Sequence, residues 1–257
     1  MALLAVDVGN SHTVLGIVSD GDVSAHWRVS TDGRRTADEW AVLLRGLVGR
    51  RFAAVDGIVL CSTVPGVTQA GREMLSRHFA DLAYLVVEPG VRTGIPVLTD
   101  NPREVGTDRI VNSLAAATDY GGPAIVVDFG GTATTFDVVN AAGQYVGGAI
   151  APGIEISLDA LGRRGAQLRQ VELIRPRSVI AKNTVEALQS GLVFGMAAQV
   201  EGVVARIIDE LGVMVDDVSV IATGYLAPLV FAECACFTDH EPWLTLRGLE
   251  MVFRRNR

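Results

Sequence analysis

The chain has 257 residues, 49% of them hydrophobic, enough to bury one large core or two modest ones. A formal charge of -7, from 22 Lys and Arg against 29 Asp and Glu, repels a phosphate backbone, and with no long basic run to offset it nucleic acid is not expected as a partner. Three cysteines are too few and too unevenly placed for a disulfide framework, and the four histidines show neither metal-ligand spacing nor a nucleophile motif, which argues against a hydrolase triad.

Met1 to Asn10 has no basic leader and meets Asp7 early, and no uninterrupted apolar run approaches a membrane span, so a cytoplasmic protein without membrane contact is expected. Leu3 to Gly9 is an apolar run ending in Asp7-Val8-Gly9; small polar residues then lead into β-rich Val14 to Val18, which predicts strand, tight turn and strand. Thr36-Ala37-Asp38-Glu39 reads as a capping box opening a helix with Trp40, Leu43, Leu44, Leu47 and Val48 on one face. Strands are expected at Gly57 to Ser62 and Ala83 to Val87. A second helix is expected from Asn101-Pro102-Arg103-Glu104, with Asn101 as its cap, running on through Gly106-Thr107-Asp108-Arg109. After a boundary in Asp119 to Pro123, Ala124 to Gly130 repeats the opening pattern, ending in Asp128-Phe129-Gly130 and passing through Gly131-Thr132-Ala133-Thr134 into Thr135 to Val139. Asn183-Thr184-Val185-Glu186 starts a helix that runs to about Leu211, and Val218 to Ala222 is the last expected strand. Strands alternating with helices give an α/β chain with a mixed sheet in each half. The repeat predicts a duplicated two-lobed architecture, lobes 1–120 and 121–257, each bringing one hairpin to a central cleft.

The chemistry is concentrated in the two Asp-x-Gly turns. In Asp7-Val8-Gly9-Asn10-Ser11 the glycine lets successive backbone N–H groups turn toward an anion, and Asp7 suits a magnesium ion that takes few protein ligands. Taken singly, such a turn is better explained by a plain hairpin whose aspartate caps amides; two facing copies instead suit a triphosphate. In the helix begun by Asn101, Gly106 costs about 1 kcal/mol relative to alanine. Room for a substrate beside Asp108, with Arg109 supplying charge for a carboxylate, is one explanation; an exposed acid and base on a helix surface is the other. Asn112, one turn on, is placed to orient Asp108.

Asp7-Val8-Gly9-Asn10-Ser11, Asn101-Pro102 with Gly106-Thr107-Asp108-Arg109, Asp128-Phe129-Gly130 with Thr132 to Asp137, Gly147 to Gly153, Lys182-Asn183-Thr184-Val185-Glu186 and Ile221-Ala222-Thr223-Gly224 together resemble the ordered motifs of type III pantothenate kinases. The segment Pro242 to Leu249 resembles that family's ending. The resemblance implies an actin-like, ribonuclease H-like fold with a nucleotide cleft between its lobes, and ATP-dependent phosphorylation of pantothenate, the first step of coenzyme A biosynthesis. It implies Asp108 as general base, and Asp7, Val8, Gly9, Asn10, Ser11, His12, Thr13, Val14 and Thr132 as ATP contacts. It further implies Gly106, Thr107, Asp108, Arg109 and Thr184, with Thr99 at a usual tyrosine position, as pantothenate contacts, Asp128 holding K+ or NH4+, Mg2+ with ATP, adenosine near Ile221 to Gly224, and a homodimer. Departures from the pattern are Gly131, an extra residue in the phosphate turn, and Thr99, Ala181 and Tyr225 in place of the usual tyrosine and two glycines. A different actin-like kinase and a non-catalytic nucleotide-binding descendant are the competing readings; the Gly-Thr-Asp-Arg and Lys-Asn-Thr segments speak against the former, and joint retention of Asp7, Asp108, Asp128 and Thr184 against the latter.

Overall fold

A computed structural model of the chain describes residues 1–164 and 171–257, which divide by contact into two units: Met1–Ala115 with Trp243–Arg257, and Ala116–Pro242. The first unit opens with β1 (Leu3–Val8), β2 (His12–Ser19) and β3 (Asp22–Ser30), each antiparallel to its neighbour. Helix α1 (Ala37–Val48) leads to β4 (Gly57–Ser62), and α2 (Pro65–His78) to β5 (Ala83–Val87). Both of these strands pair in parallel, giving the order β3-β2-β1-β4-β5. Helix α3 (Thr107–Asp119) crosses the division between the units.

The second unit repeats the plan. Strands β6 (Ala124–Asp128), β7 (Ala133–Val139) and β8 (Tyr145–Pro152) form an antiparallel meander, followed by helices α4 (Ile154–Arg164) and α5 (Thr184–Leu211). Strand β9 (Ser219–Thr223), helix α6 (Ala227–Phe231) and the short β10 (Asp239–His240) complete it, and β9 and β10 pair in parallel. The sheet order β8-β7-β6-β9-β10 matches β3-β2-β1-β4-β5 strand for strand, so the duplication expected from two Asp-x-Gly segments extends to five strands in each unit.

Local chemistry accounts for the elements. Thr36 and Glu39 form a reciprocal capping box at α1, whose Trp40, Ala41, Leu44 and Val48 are buried. Asn183 caps α5 by accepting from the Glu186 N–H at 2.9 Å, and Gly212 ends it in the left-handed region at φ 65°. Strand β3 alternates exposed and half-buried residues along its whole length, the pattern of an edge strand, and therefore presents no apolar run.

Three expectations change. The helix placed at Asn101 is a three-residue 3-10 turn, Pro102–Glu104; Asn101 makes no backbone cap and instead donates to Glu104 Oε1 at 2.6 Å. Val105 is extended (ψ 125°), so Gly106 precedes α3 rather than sitting within a helix, and its carbonyl accepts the first α3 bond, from Ile110 N at 3.2 Å. The end of the chain does not group with residues 121–242. Helix α7 (Leu244–Arg255) lies on the first unit's sheet, where the carboxylate of Glu250, 3% exposed, accepts from the N–H groups of Asp20 and Gly21 at 2.9 and 2.8 Å. Its Gly248 passes so close to α3 that a Cβ there would lie 2.2 Å from the Val111 carbonyl oxygen. Finally, α5 is long and apolar enough to cross a membrane by length and composition, although its Met196, Ala197, Val200, Val204 and Ile208 are buried in the second unit's core.

Candidate functional site

In the first unit, parallel pairing of β1 with β4 sets Asp7 opposite Cys61, and the Cys61 thiol donates to Asp7 Oδ1 at 3.1 Å. Burial pushes the Asp7 carboxyl up to about 7, the nearby Asp108 carboxylate adds to the effect, and the Cys61 bond opposes it. Burial likewise raises the Cys61 thiol well above its usual range, with Asp7 and Asp108 contributing. The mutual influence of the three groups locates the start of α3 beside the end of β1, so Asp7 and Asp108 share one site.

Burial also raises Asp108, against the Arg109 backbone N–H and the Arg109 charge, which both lower it. Asp108 Oδ1 is buried without a hydrogen-bond partner, as are Thr107 Oγ1 and Thr99 Oγ1. A buried orphan polar atom costs roughly 1–3 kcal/mol, and such atoms at sequence-predicted substrate positions are what an absent polar ligand leaves behind. Gly106 makes the carboxylate's position possible: a Cβ there would lie 2.4 Å from Asp108 Oδ1. Thr107, with Val97, Arg103, Val105 and Ile110, also lines a cavity of about 480 Å³.

The turn from β1 to β2 is closed by Gly9 N donating to His12 O at 3.0 Å and braced by Thr31 N donating to Ser11 O at 2.9 Å. Asn10 and Ser11 are exposed at its tip. Val8 and Thr13 are fully buried, and the Thr13 hydroxyl is engaged with Thr31 at 2.8 Å, so these two offer a ligand only backbone.

In the second unit, Asp128 ends β6 opposite Thr223 of β9, and Phe129 N donates to Thr223 O at 2.9 Å. Gly224 (φ 88°) follows and closes tightly on this turn, since a Cβ would meet Asp128 Oδ1 at 2.5 Å, Phe129 C at 2.6 Å and Gly130 N at 2.8 Å. The extra residue, Gly131, takes φ 129°, a conformation only glycine adopts freely. Its carbonyl is covered by Gly153, where a Cβ would approach to 2.0 Å, and Gly153 N donates to Thr132 O at 3.0 Å. The lengthened turn is thus braced from the start of α4 and leaves Thr132 exposed. Thr184 is exposed in the first turn of α5, where helix N–H groups favour an anion.

Sequence reasoning assigned no partner to Cys61, because its contact with Asp7 depends on which strand pairs with β1; the one signal is a thiol near the end of the apolar run Gly57 to Ser62. Gly153 was seen as part of a motif, but its bracing role appears only in three dimensions. Among the described residues no group of three or more His, Cys, Asp and Glu side chains forms a metal centre. Asp7 nevertheless fits a magnesium ion held largely by phosphate oxygens and water, because a cation offsets the burial and carboxylate repulsion that push its carboxyl up. Asp128 offers one hard-oxygen carboxylate at the end of β6, a donor type that suits a weakly held monovalent cation.

A sequence profile described as type III pantothenate kinase matches residues 3–206. A type III pantothenate kinase of Nocardioides sp. (strain ATCC BAA-499 / JS614) is 73% identical over 256 residues, covering 100% of both chains, and that of Thermobifida fusca is 61% identical over 257 residues, covering 99% of each. Among solved structures, the ethanolamine utilization protein EutJ from Carboxydothermus hydrogenoformans matches at TM-score 0.56 and 16% identity over 98% of this chain and 90% of its own. MreB 5 of Spiroplasma citri bound to AMPPNP matches at TM-score 0.54 and 12% identity over 99% and 96%. With the repeated sheet order, these establish the two-lobed actin-like fold.

Proposed function

This chain belongs to the type III pantothenate kinase family, and from that premise we propose which of its residues carry the reaction. It phosphorylates pantothenate with ATP, the first step of coenzyme A biosynthesis. The observation that carries the residue assignment is the buried, unpartnered Oδ1 of Asp108, held at the start of α3 beside Asp7 and cleared by Gly106.

Phosphoryl transfer passes through a loose, nearly in-line transition state, so the protein chiefly positions groups and offsets charge. Asp108 is the general base. A carboxylate is too weak to ionise an alcohol beforehand; Asp108 orients the primary hydroxyl of pantothenate and accepts its proton late, as the oxygen bonds to phosphorus. Thr99, Thr107 and Gly106 line the acceptor site, and Arg109 pairs with the pantothenate carboxylate. Backbone N–H groups of Gly9 to His12, the Asn10 and Ser11 side chains and Thr132 hold the phosphates, with Val8, Thr13 and Val14 contributing backbone only. Adenosine lies along Ile221 to Gly224.

Asp7 holds magnesium and Asp128 a potassium or ammonium ion; the chemistry they supply is neutralisation of charge on the transferring phosphoryl group. Gly131 is accommodated by Gly153 with Thr132 left exposed, which supports a lengthened turn that still presents Thr132 to phosphate.

The chain acts as a cytoplasmic homodimer paired along α5. Thr184, Ala187, Gly191, Gly195 and Ala198 are exposed at helical spacing, and a Cβ at Gly191 or Gly195 would meet nothing within 4 Å. Val185, Val179 and Ile180 nearby are 50, 65 and 85% exposed, an apolar face suited to a second copy. Pairing along this stripe brings Thr184 to the subunit boundary, where it reaches pantothenate.

A coupled ADP-release assay with ATP and magnesium, run with and without pantothenate and with potassium or sodium, tests the reading. Release that requires pantothenate and rises with potassium is expected. Release indifferent to pantothenate would dismiss the assigned acceptor, and indifference to potassium would dismiss the role of Asp128.

A further inference from the structure

Between β5 and the turn at Pro102, residues 88–101 form no helix and only a single isolated bridge, at Val97. The segment nevertheless borders the acceptor site. Its Val91, Thr93 and Val97 line the same cavity of about 480 Å³ as Val105 and Thr107, and it carries Thr99, whose Oγ1 is buried without a partner. Backbone that joins neither sheet nor helix must be held by other groups, and here the end of α7 holds it.

Asn256, which caps α7, uses its whole side-chain amide for this purpose. Nδ2 donates one hydrogen to Arg92 O and the other to Val252 O of α7, each at 2.8 Å, and Oδ1 accepts from Arg92 N at 3.2 Å. The amide therefore pairs with both backbone groups of Arg92 as a neighbouring strand would, while staying tied to its own helix. Two residues on, Gly94 (φ 91°) lies against the Arg255 guanidinium, since a Cβ there would come within 2.3 Å of Cζ. An ion pair of Glu88 with Arg72 of α2 fixes the start of the segment, and buried Ile95 fixes its middle.

We propose that Asn256 is a positioning residue for the acceptor, holding through Arg92 the segment that places Thr99 and the cavity wall opposite Thr107. The role rests on the reading of Thr99 and Thr107 as pantothenate contacts; the clamp on Arg92 does not. It is confined to acceptor binding, because the other parts of the site have their own supports. Asp108 rides on α3, which packs through Val111 on Gly248 of α7, and the turn after β1 is braced by Thr31. Loosening the clamp thus weakens binding of pantothenate in ground and transition states alike, which raises KM and leaves kcat in place.

The test compares full-length wild type, Asn256→Ala and Asn256→Asp by steady-state kinetics and by hydrogen exchange read in peptides covering residues 88–101. Aspartate is isosteric but cannot donate to Arg92 O or Val252 O, so it should be at least as damaging as alanine, whereas a side chain that merely fills space would tolerate it. Both variants should raise the KM for pantothenate several-fold, with kcat and the KM for ATP changed by less than about twofold, and should exchange faster across 88–101 with β5 unchanged. Exchange that rises only at the end of α7, or nowhere, would overturn the clamp. Faster exchange with an unchanged KM for pantothenate, or with kcat and both KM values moving together, would overturn the positioning role. Wild type without pantothenate-dependent ADP release would overturn the acceptor reading and the KM claim with it, and the exchange result would still decide the clamp.

Discussion

Replacing Asp7 by Asn isolates the cost of the electrostatics that the nucleotide site carries. The folded protein holds this carboxyl at about 7 against its usual 3.8. Because the folded value is the higher one, the native state binds the extra proton. The associated stability is complete below about pH 4 and is lost as pH rises toward 7. A separation of roughly three pH units, at about 1.4 kcal/mol each, sets a ceiling of about 4 kcal/mol. Solvent at this partly buried group lowers the figure, and half of it remains measurable. At about 2–4 °C per kcal/mol for a chain of this size, a realistic 2 kcal/mol corresponds to about 4–8 °C in Tm. The assay is thermal melting of ligand-free wild type and Asp7→Asn from pH 4.5 to 8.5. The two curves should nearly coincide at the acid end and separate as pH rises, the variant becoming the more stable, although it loses magnesium-dependent turnover. Such opposed changes in stability and activity are characteristic of strained functional sites. Equal pH slopes in the two proteins would refute the reasoning, because they would mean that Asp7 ionises unhindered beside Asp108.

Gly106→Ala should lower kcat by about a hundredfold through displacement of the Asp108 carboxylate by roughly 1 Å, with Tm little changed; coupled ADP release and a melt check both, and wild-type kcat would count against the clearance argument. Gly224→Ala meets the Phe129 and Gly130 backbone as well as Asp128 Oδ1, so even if the Asp128 side chain yields, a positive φ and the backbone contacts should cost about 2–4 kcal/mol or open the Asp128 turn, read as a lower Tm together with weaker nucleotide binding. Gly195→Arg, placed where a side chain has open space, should convert a dimer to a folded monomer in sedimentation and raise the KM for pantothenate; an unchanged dimer would move the interface off α5.

Much of the fold could be read because its signals are local. The capping residues Thr36 and Asn183 are local chemistry, and the two Asp-x-Gly segments announce their own turns, so α1, α5 and the central hairpins were expected nearly where they lie. Elements whose identity depends on distant partners were not legible. Strand β3 carries an edge pattern that resembles a polar loop, and α2 starts at Pro65 behind Val64 without a side-chain cap. Helix α7 joins the first unit through Glu250, which meets Asp20 230 residues away, and Gly248, which meets Val111 about half the chain away. The start of α3 misled for a related reason: Asn101, Pro102 and Glu104 have the composition of a helix start but support only a single 3-10 turn, since Val105 is extended. That break puts Gly106 at a helix entrance, where its missing side chain admits the Asp108 carboxylate instead of costing helix propensity.

The central claim is that Asp108 takes the proton from the acceptor hydroxyl. Single-turnover phosphoryl transfer to pantothenate, compared between wild type and Asp108→Asn at saturating ATP and pantothenate, tests it most directly. The variant should bind ATP as the wild type does and transfer at a rate lower by about 10²–10⁴-fold, the usual contribution of a general base, while the wild-type rate falls as pH drops through the raised range of the Asp108 carboxyl. Transfer by Asp108→Asn at the wild-type rate, with the same pH dependence, would contradict the account.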